Sequence, residues 1–191
     1  MAPSCSTELS TAEQRQLLGI ARQAVQSDMA GRQMPAPQAL RRRLRARRGA
    51  FVTLTHRAAL RGCIGSLHGD QPLHLAVAEA ARSAASRDPR FPPLNEAELA
   101  AIRFEIAVLS PLQPLPAATR AALLASLRPG VDGLLLEDRG RRATFLPKVW
   151  EQLPDPERFV EQLLVKAGLP PLHWSGTLRL QRYQAQSFGE D

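Results

Sequence analysis

Ala50-Phe51-Val52-Thr53-Leu54-Thr55, a polar step at His56-Arg57, then Ala59-Leu60-Arg61-Gly62-Cys63-Ile64-Gly65: the reading of this stretch decides the fold. Both runs favour strand, and the short polar step between them is a hairpin signal. A hairpin commits the sheet to antiparallel pairing, because parallel strands need a long crossover. Two glycines flank Cys63-Ile64. Glycine inside a strand costs stability and marks a bulge or a close approach of backbone to something else. One reading is tight packing of a helix on this strand, with Cys63 as a small apolar residue. The other is a bare backbone surface that a ligand or partner can touch.

Working outward, Ser10 and Glu13 have capping-box spacing, and Leu17, Ala21, Ala24 and Val25 recur on one face. Residues 10–30 therefore read as a helix, stopped at Gly31. Pro35 and Pro37 mark a connector. Residues 38–47 read as a short second helix with Leu40 and Leu44 inward. Pro72 opens a helix to Ser86 with Leu75, Ala78, Ala81 and Ala85 inward. Asp88-Pro89-Arg90-Phe91-Pro92-Pro93 cannot continue it, since each proline removes a donor and extends the residue before it. Asn95 reads as the N-cap of a short helix. Ile102, Phe104, Ile106 and Val108 alternate with Arg103, Glu105, Ala107 and Leu109, a half-buried strand with a mostly polar outer face.

Further on, a short helix at 118–127 lies among Pro111, Pro114, Pro116 and Pro129. A second hairpin joins Gly133–Glu137 to Arg141–Leu146 across Asp138-Arg139-Gly140. A helix at Glu157–Ala167 is stopped by Gly168 and Pro170. In the last strand, near 177–186, Leu178 and Leu180 share one parity while Tyr183 and Ala185 take the other, which calls for a bulge or kink near Gln181. Regular βαβ alternation is absent. The fold class is α+β, an antiparallel-rich sheet flanked by helices.

The 191 residues suit one domain, or one with a smaller subdomain. No apolar run is long enough to span a bilayer, and Met1–Thr11 lacks a secretory pattern. Residues 1–12 read as a mobile N-terminus carrying Cys5, so no disulfide with Cys63 is expected, and the location reads as cytoplasmic. Six of the net seven positive charges sit at Arg41, Arg42, Arg43, Arg45, Arg47 and Arg48. The basic character is one local patch.

Leu60-Arg61-Gly62-Cys63-Ile64-Gly65 resembles the signature of the AMMECR-domain family, called AmmeMemoRadiSam system protein A in microbial genomes. Phe51–Leu54, Asp88–Leu94, Glu98-Leu99, Asp132–Leu134, Phe145–Trp150, Lys166–Pro170 and Trp174 agree with it in order and spacing. The resemblance runs from about residue 13 to the C-terminus. It implies a single AMMECR-like domain over 13–190 with two unequal subdomains, and Arg61–Gly65 bordering the groove between them. It also implies association with a Memo-like protein and a radical S-adenosylmethionine protein. It brings no assigned reaction. Many members carry His where Asp132 stands and Gln where Lys148 stands, so a role for either side chain does not transfer.

The sequence admits three functions. In the first, the chain is a ligand- or partner-binding module whose working surface is Arg61, Gly62, Cys63, Ile64 and Gly65, supported by Asp88 and Arg90. Asp88 would then orient Arg61 or Arg90 towards an anionic ligand; alternatively it caps backbone amides in a rigid loop whose Phe91 plugs the core. In the second, Cys63 is a nucleophile or redox thiol, which needs a base; His56, His68, His74 and His173 are scattered with no diagnostic spacing to it. In the third, Arg41–Arg48 binds nucleic acid, although no aromatic residues are interleaved and a solvated helix face is the default. Ligand spacing for zinc is absent, as are phosphate-cradling glycine loops, so no metal and no cofactor is expected. Trp150 and Trp174 read as core or subdomain-interface aromatics.

Overall fold

The capping box forms as the spacing requires. In the computed structural model, which describes residues 8–35 and 40–190, the Glu13 carboxylate accepts from the Ser10 amide at 2.9 Å and the Ser10 hydroxyl at 2.8 Å. Helix α1 runs over Thr11–Met29, burying Leu17, Ile20, Ala21, Ala24 and Val25, and ends at Gly31 with φ +61°. There the Arg32 amide returns to the Ser27 carbonyl at 2.8 Å. The expected Cys5, the N-terminal part of the mobile segment and the start of the helix expected at 38–47 lie outside the described residues. From residue 40 onward that segment forms only a 3-10 turn, over Arg42–Arg45, with Leu44 buried.

Strands β1 (Ala50–His56) and β2 (Ala59–Ser66) form the hairpin. Arg57 and Ala58 both have positive φ, the mirror-image turn whose twist matches the strands. Pairing is regular from Ala50↔Ser66 to Leu54↔Gly62, then jumps to Thr55↔Leu60, leaving Arg61 without a partner across the ladder. Helix α2 (Leu73–Ser86) buries Leu73, Val77, Ala80, Ala81 and Ala84. Leu75 is 47% exposed, against the expectation that it faces inward; the buried stripe is centred on Val77 and Ala81, and Leu75 sits across the helix from it. After the proline loop and a short helix α3 (Glu96–Leu99), β3 (Ile102–Leu109) pairs with β1. Its outer face is less polar than its alternation suggests, because Ala107 and Leu109 are also buried.

The chain divides into two units, residues 1–109 with 186–191, and residues 110–185. The first holds a four-stranded sheet in the order β2-β1-β3-β8, where β8 is Ala185–Gly189, with α1 and α2 packed against it and each other. The second holds β4 (Gln113–Pro114), α4 (Arg120–Ser126), β5 (Gly133–Asp138), β6 (Arg141–Phe145), α5 (Pro156–Lys166) and β7 (Arg179–Tyr183), with sheet order β4-β7-β5-β6. Its core stacks Trp150 on Phe159 with centroids 3.8 Å apart, and Trp174 packs at the margin.

The expected last strand is two strands. No bulge occurs at Gln181, whose pairing with Leu135 is in register. The parity change belongs to Gln184, where the chain leaves β7 and enters β8 (Ala185–Gly189) of the other sheet. Within the first unit β8 is tied by side chains. Gln186 Oε1 accepts from the Leu9 amide at 2.6 Å, and its Nε2 donates to the Leu9 carbonyl at 3.0 Å. Glu190 takes a bidentate pair from Arg22 at 2.8 and 2.6 Å and the Phe104 amide at 3.0 Å.

Candidate functional site

The two glycines of β2 answer to close packing. A Cβ on Gly62 would stand 2.2 Å from the Ala84 carbonyl oxygen of α2. A Cβ on Gly65 would stand 2.2 Å from the Ala50 carbonyl oxygen and 2.5 Å from the Phe51 Cα. Ile64 lies on the helix side and packs against the first core. Cys63 lies on the opposite face, half-buried and opposite Thr53, whose hydroxyl donates to its sulfur at 3.3 Å.

β2 is an edge strand, and at Cys63 the edge is closed by side chains. Asp88 is 4% exposed and accepts the Cys63 amide at 2.8 Å. Arg90 donates to the Cys63 carbonyl at 3.3 Å and to both Asp88 oxygens at 2.9 and 2.7 Å. The pair takes the place of a neighbouring strand for one residue, which blunts an edge that would otherwise recruit one. Hydrogen bonding from Arg90 holds the Asp88 carboxyl well below the usual range, against the opposing effect of burial. The loop conformation follows from the sequence, since the prolines at 89, 92 and 93 extend the chain and the Arg90 amide turns back onto Asp88 at 3.1 Å. Phe91 is half-buried and lies under Arg90; Leu94, not Phe91, enters the core.

Arg61 does not meet Asp88. The bulge re-aims it to Glu98, with bonds of 2.9 and 3.0 Å, and to the Pro92 carbonyl at 2.9 Å. Glu98 also closes the α3 capping box with Asn95, and the Arg61 guanidinium holds its carboxyl at about 2. Sequence reasoning passed over Glu98. Its signal was available in the Asn-x-x-Glu spacing that marks the helix start.

The arginine run serves several ends. Arg47 donates to the Asp70 carbonyl, and Arg48 donates to the Leu109 carbonyl at 2.9 Å, its pKa lowered by burial. Arg43 donates to the Glu8 carbonyl at 2.7 Å. Arg41, Arg42 and Arg45 are exposed. His74 Nδ1 lies 2.9 Å from the Leu44 carbonyl, the packing arrangement. No group of three or more His, Cys, Asp or Glu among the described residues is placed to hold a metal ion. No helix among them is long and apolar enough to cross a membrane.

In the second unit, Asp132 is the residue that departs from the pattern of the resemblance. It is fully buried and paired with Arg128 at 2.6 Å, while its carbonyl receives the Trp150 indole at 2.7 Å. Gly133 is obligatory beside it, because a Cβ would sit 2.5 Å from the Tyr183 ring. A second buried carboxylate, Asp138, receives the Thr177 hydroxyl at 2.5 Å, His173 Nε2 at 2.6 Å and the Ser175 hydroxyl at 3.0 Å. These bonds, Thr177 first and His173 next, hold its carboxyl at about 2.

Asp138 and Glu98 give a pH expectation with a fixed sign. Each is depressed in the folded protein, so each stabilises it above the ordinary carboxylate range and ceases to do so as pH falls through about 4 towards 2. Thermal melts across that window are expected to show stability falling with acid, and Asp138→Asn to flatten the part that belongs to the second unit.

A family model described as AMMECR1 matches residues 18–188. A protein of Methanothermobacter thermautotrophicus is 42% identical over 186 residues, covering 96% of this chain and 97% of its own. The protein Mbar_A1807 of Methanosarcina barkeri is 34% identical, covering 95% of this chain and 92% of its own. The crystal structure of the uncharacterized protein PH0010 from Pyrococcus horikoshii superimposes with a TM-score of 0.89 at 30% identity, over 96% of this chain and 94% of that one.

Proposed function

The chain belongs to the AMMECR1 family, and from that premise we propose that it is a cytoplasmic ligand- or partner-binding module whose working surface is the face of β2 around Cys63. The observation that supports binding over chemistry is the immobilised backbone at that residue. Both of its outward groups are held, the amide by a buried carboxylate and the carbonyl by a guanidinium. A surface held in one conformation loses little entropy on engagement. The thiol meets a hydroxyl that donates to it; a nucleophile needs the opposite, a group that accepts its proton. Arg61 and Arg90 are engaged with Glu98 and Asp88, which suits positioning more than anion capture. The partners in view are the Memo-like and radical S-adenosylmethionine proteins that the family resemblance implies.

Cys63→Ser is the test. Co-purification with those two proteins is expected to weaken while the melting temperature stays near that of the unaltered protein, and iodoacetamide is expected to alkylate Cys63 no faster than a simple thiol. Rapid, base-assisted alkylation would move the assignment to an enzyme using Cys63. Retained capture by both Cys63→Ser and Cys63→Trp would remove this face from the binding surface.

A further inference from the structure

Just past the Asp88–Arg90 clamp the edge of β2 opens. Cys63 turns its amide and carbonyl outward, and backbone direction alternates along an antiparallel strand, so Gly65 turns its own amide and carbonyl to the same edge. At Gly62 helix α2 closes onto the strand. Towards Ser66 helix and strand separate, leaving a cleft of about 400 Å³. Its walls include Gly65 and Ser66 on the strand side, Asp70 on the loop, and Ala76, Glu79 and Ser83 on α2. The three helix residues are spaced three and four apart and form one flank. The volume is at the lower end of those that hold ligands.

The charge of the lining runs against that of the chain. Lysine and arginine total 25 against 18 acidic residues, yet the carboxylates and cations among the described lining residues are Asp70 and Glu79 alone. Glu79 is already engaged, one oxygen with Arg82 at 2.6 Å and the other with Arg87 at 2.9 Å. Asp70 is exposed at the rim; Arg47 holds its carbonyl, and its carboxylate, in no ion pair among the described residues, supplies the negative charge.

We propose that this cleft receives a short extended peptide segment, which pairs with the backbone of Gly65, lays small side chains against Ala76 and Ser83, and presents a lysine or arginine to Asp70. The proposal rests on reading Arg61–Gly65 as a binding surface and names the class of partner for one end of it. In strand addition main-chain bonds give affinity and alternate side chains give specificity. The clamp sets the register: an incoming strand stops at Cys63, whose groups are occupied, and extends towards Ser66.

The test uses the full chain, labelled with 15N and titrated with acetyl-Ala-Lys-Ala-amide, with the Ala-Glu-Ala peptide and free lysine as controls. The lysine peptide is expected to shift the amide resonances of Gly65, Ser66 and Ala76, and to bind more tightly than either control. Asp70→Asn is expected to weaken it about three-fold, the effect of one exposed ion pair. Ala76→Leu fills the cleft from a helix position that tolerates leucine, and is expected to abolish the shifts with the melting temperature unchanged. No shift of Gly65 at millimolar lysine peptide, equal binding of the glutamate peptide, or shifts that survive Ala76→Leu each overturn the proposal. Ala76→Leu protein that loses the peptide but still captures the Memo-like protein leaves both readings standing. Absent peptide binding with capture that depends on Cys63 overturns this proposal alone.

Discussion

Gly62→Val is expected to unfold the first unit, and Gly62→Ala to cost it about 3 kcal/mol, the upper end of the usual penalty for overpacking a core. The reason is the nature of the obstacle. The new Cβ would lie 2.2 Å from the carbonyl oxygen of Ala84, a backbone atom in the last turn of α2. A crowded side chain can rotate away, whereas this oxygen moves only if the C-terminal turn of α2 moves, and that turn is tied to the next loop by the Leu94 amide on the Ala85 carbonyl. α2 in turn is packed against both α1 and β1, so the displacement propagates through the core cluster that contains Val77, Ala81, Val52 and Leu54. Urea unfolding followed by circular dichroism measures it. A Gly62→Ala midpoint equal to that of the unaltered protein would show slack between helix and strand and sink the packing account.

Asp88→Ala is expected to be nearly as severe, at about 3 kcal/mol. The carboxylate accepts four bonds, from the Cys63 and Arg90 amides and twice from the Arg90 guanidinium. Removing it strands the Cys63 amide at a strand edge, and an unsatisfied buried donor costs about 1–3 kcal/mol. The clamp also loses its anion. Arg90 is half exposed and recovers solvation, so Arg90→Ala should be the milder change, at about 1 kcal/mol, with Asp88 keeping its backbone donors. Hydrogen exchange at the Cys63 amide reports the difference directly. It should quicken strongly in Asp88→Ala and modestly in Arg90→Ala, and Asp88→Ala should associate at the newly opened edge. A Cys63 amide that stays protected in Asp88→Ala would mean that something other than this carboxylate holds the strand.

Much of the architecture could be read from local chemistry. Ser10 with Glu13, Asn95 with Glu98, and the glycines at 31, 140 and 168 act within a turn of themselves, so their structural consequences are fixed by nearest neighbours. The hairpin is legible for the same reason, though its turn falls at Arg57-Ala58, one position beyond the polar step His56-Arg57, and lacks the glycine such a turn favours. What was not legible depends on distant chain. Leu75 looks inward only until α2 is seen packing along the Val77–Ala81 stripe, one side of a helix that is apolar on several. The break at Gln184 resembles a bulge because parity alone cannot say that successive strands join different sheets. In the candidate site, the exceptional spacing of Arg61 to Gly65 was visible, and so was the stiffness of the loop from Asp88. Which charge met which was not, since Asp88 had both Arg61 and Arg90 as candidate partners, and a single unpaired residue in the ladder turned Arg61 to Glu98 instead.

The order of synthesis gives the return of β8 a particular weight. Residues 110–185 form an uninterrupted insert, complete in chain before Gln186 is added, so that insert can close on itself while the polypeptide is still being made. The earlier half cannot. Leu9, Arg22 and Phe104 wait with unmet hydrogen-bonding groups for Gln186 and Glu190, which are made only after the whole insert. The later stretch of chain can therefore be the first finished body, and helix α1, although made before it, is locked only after it.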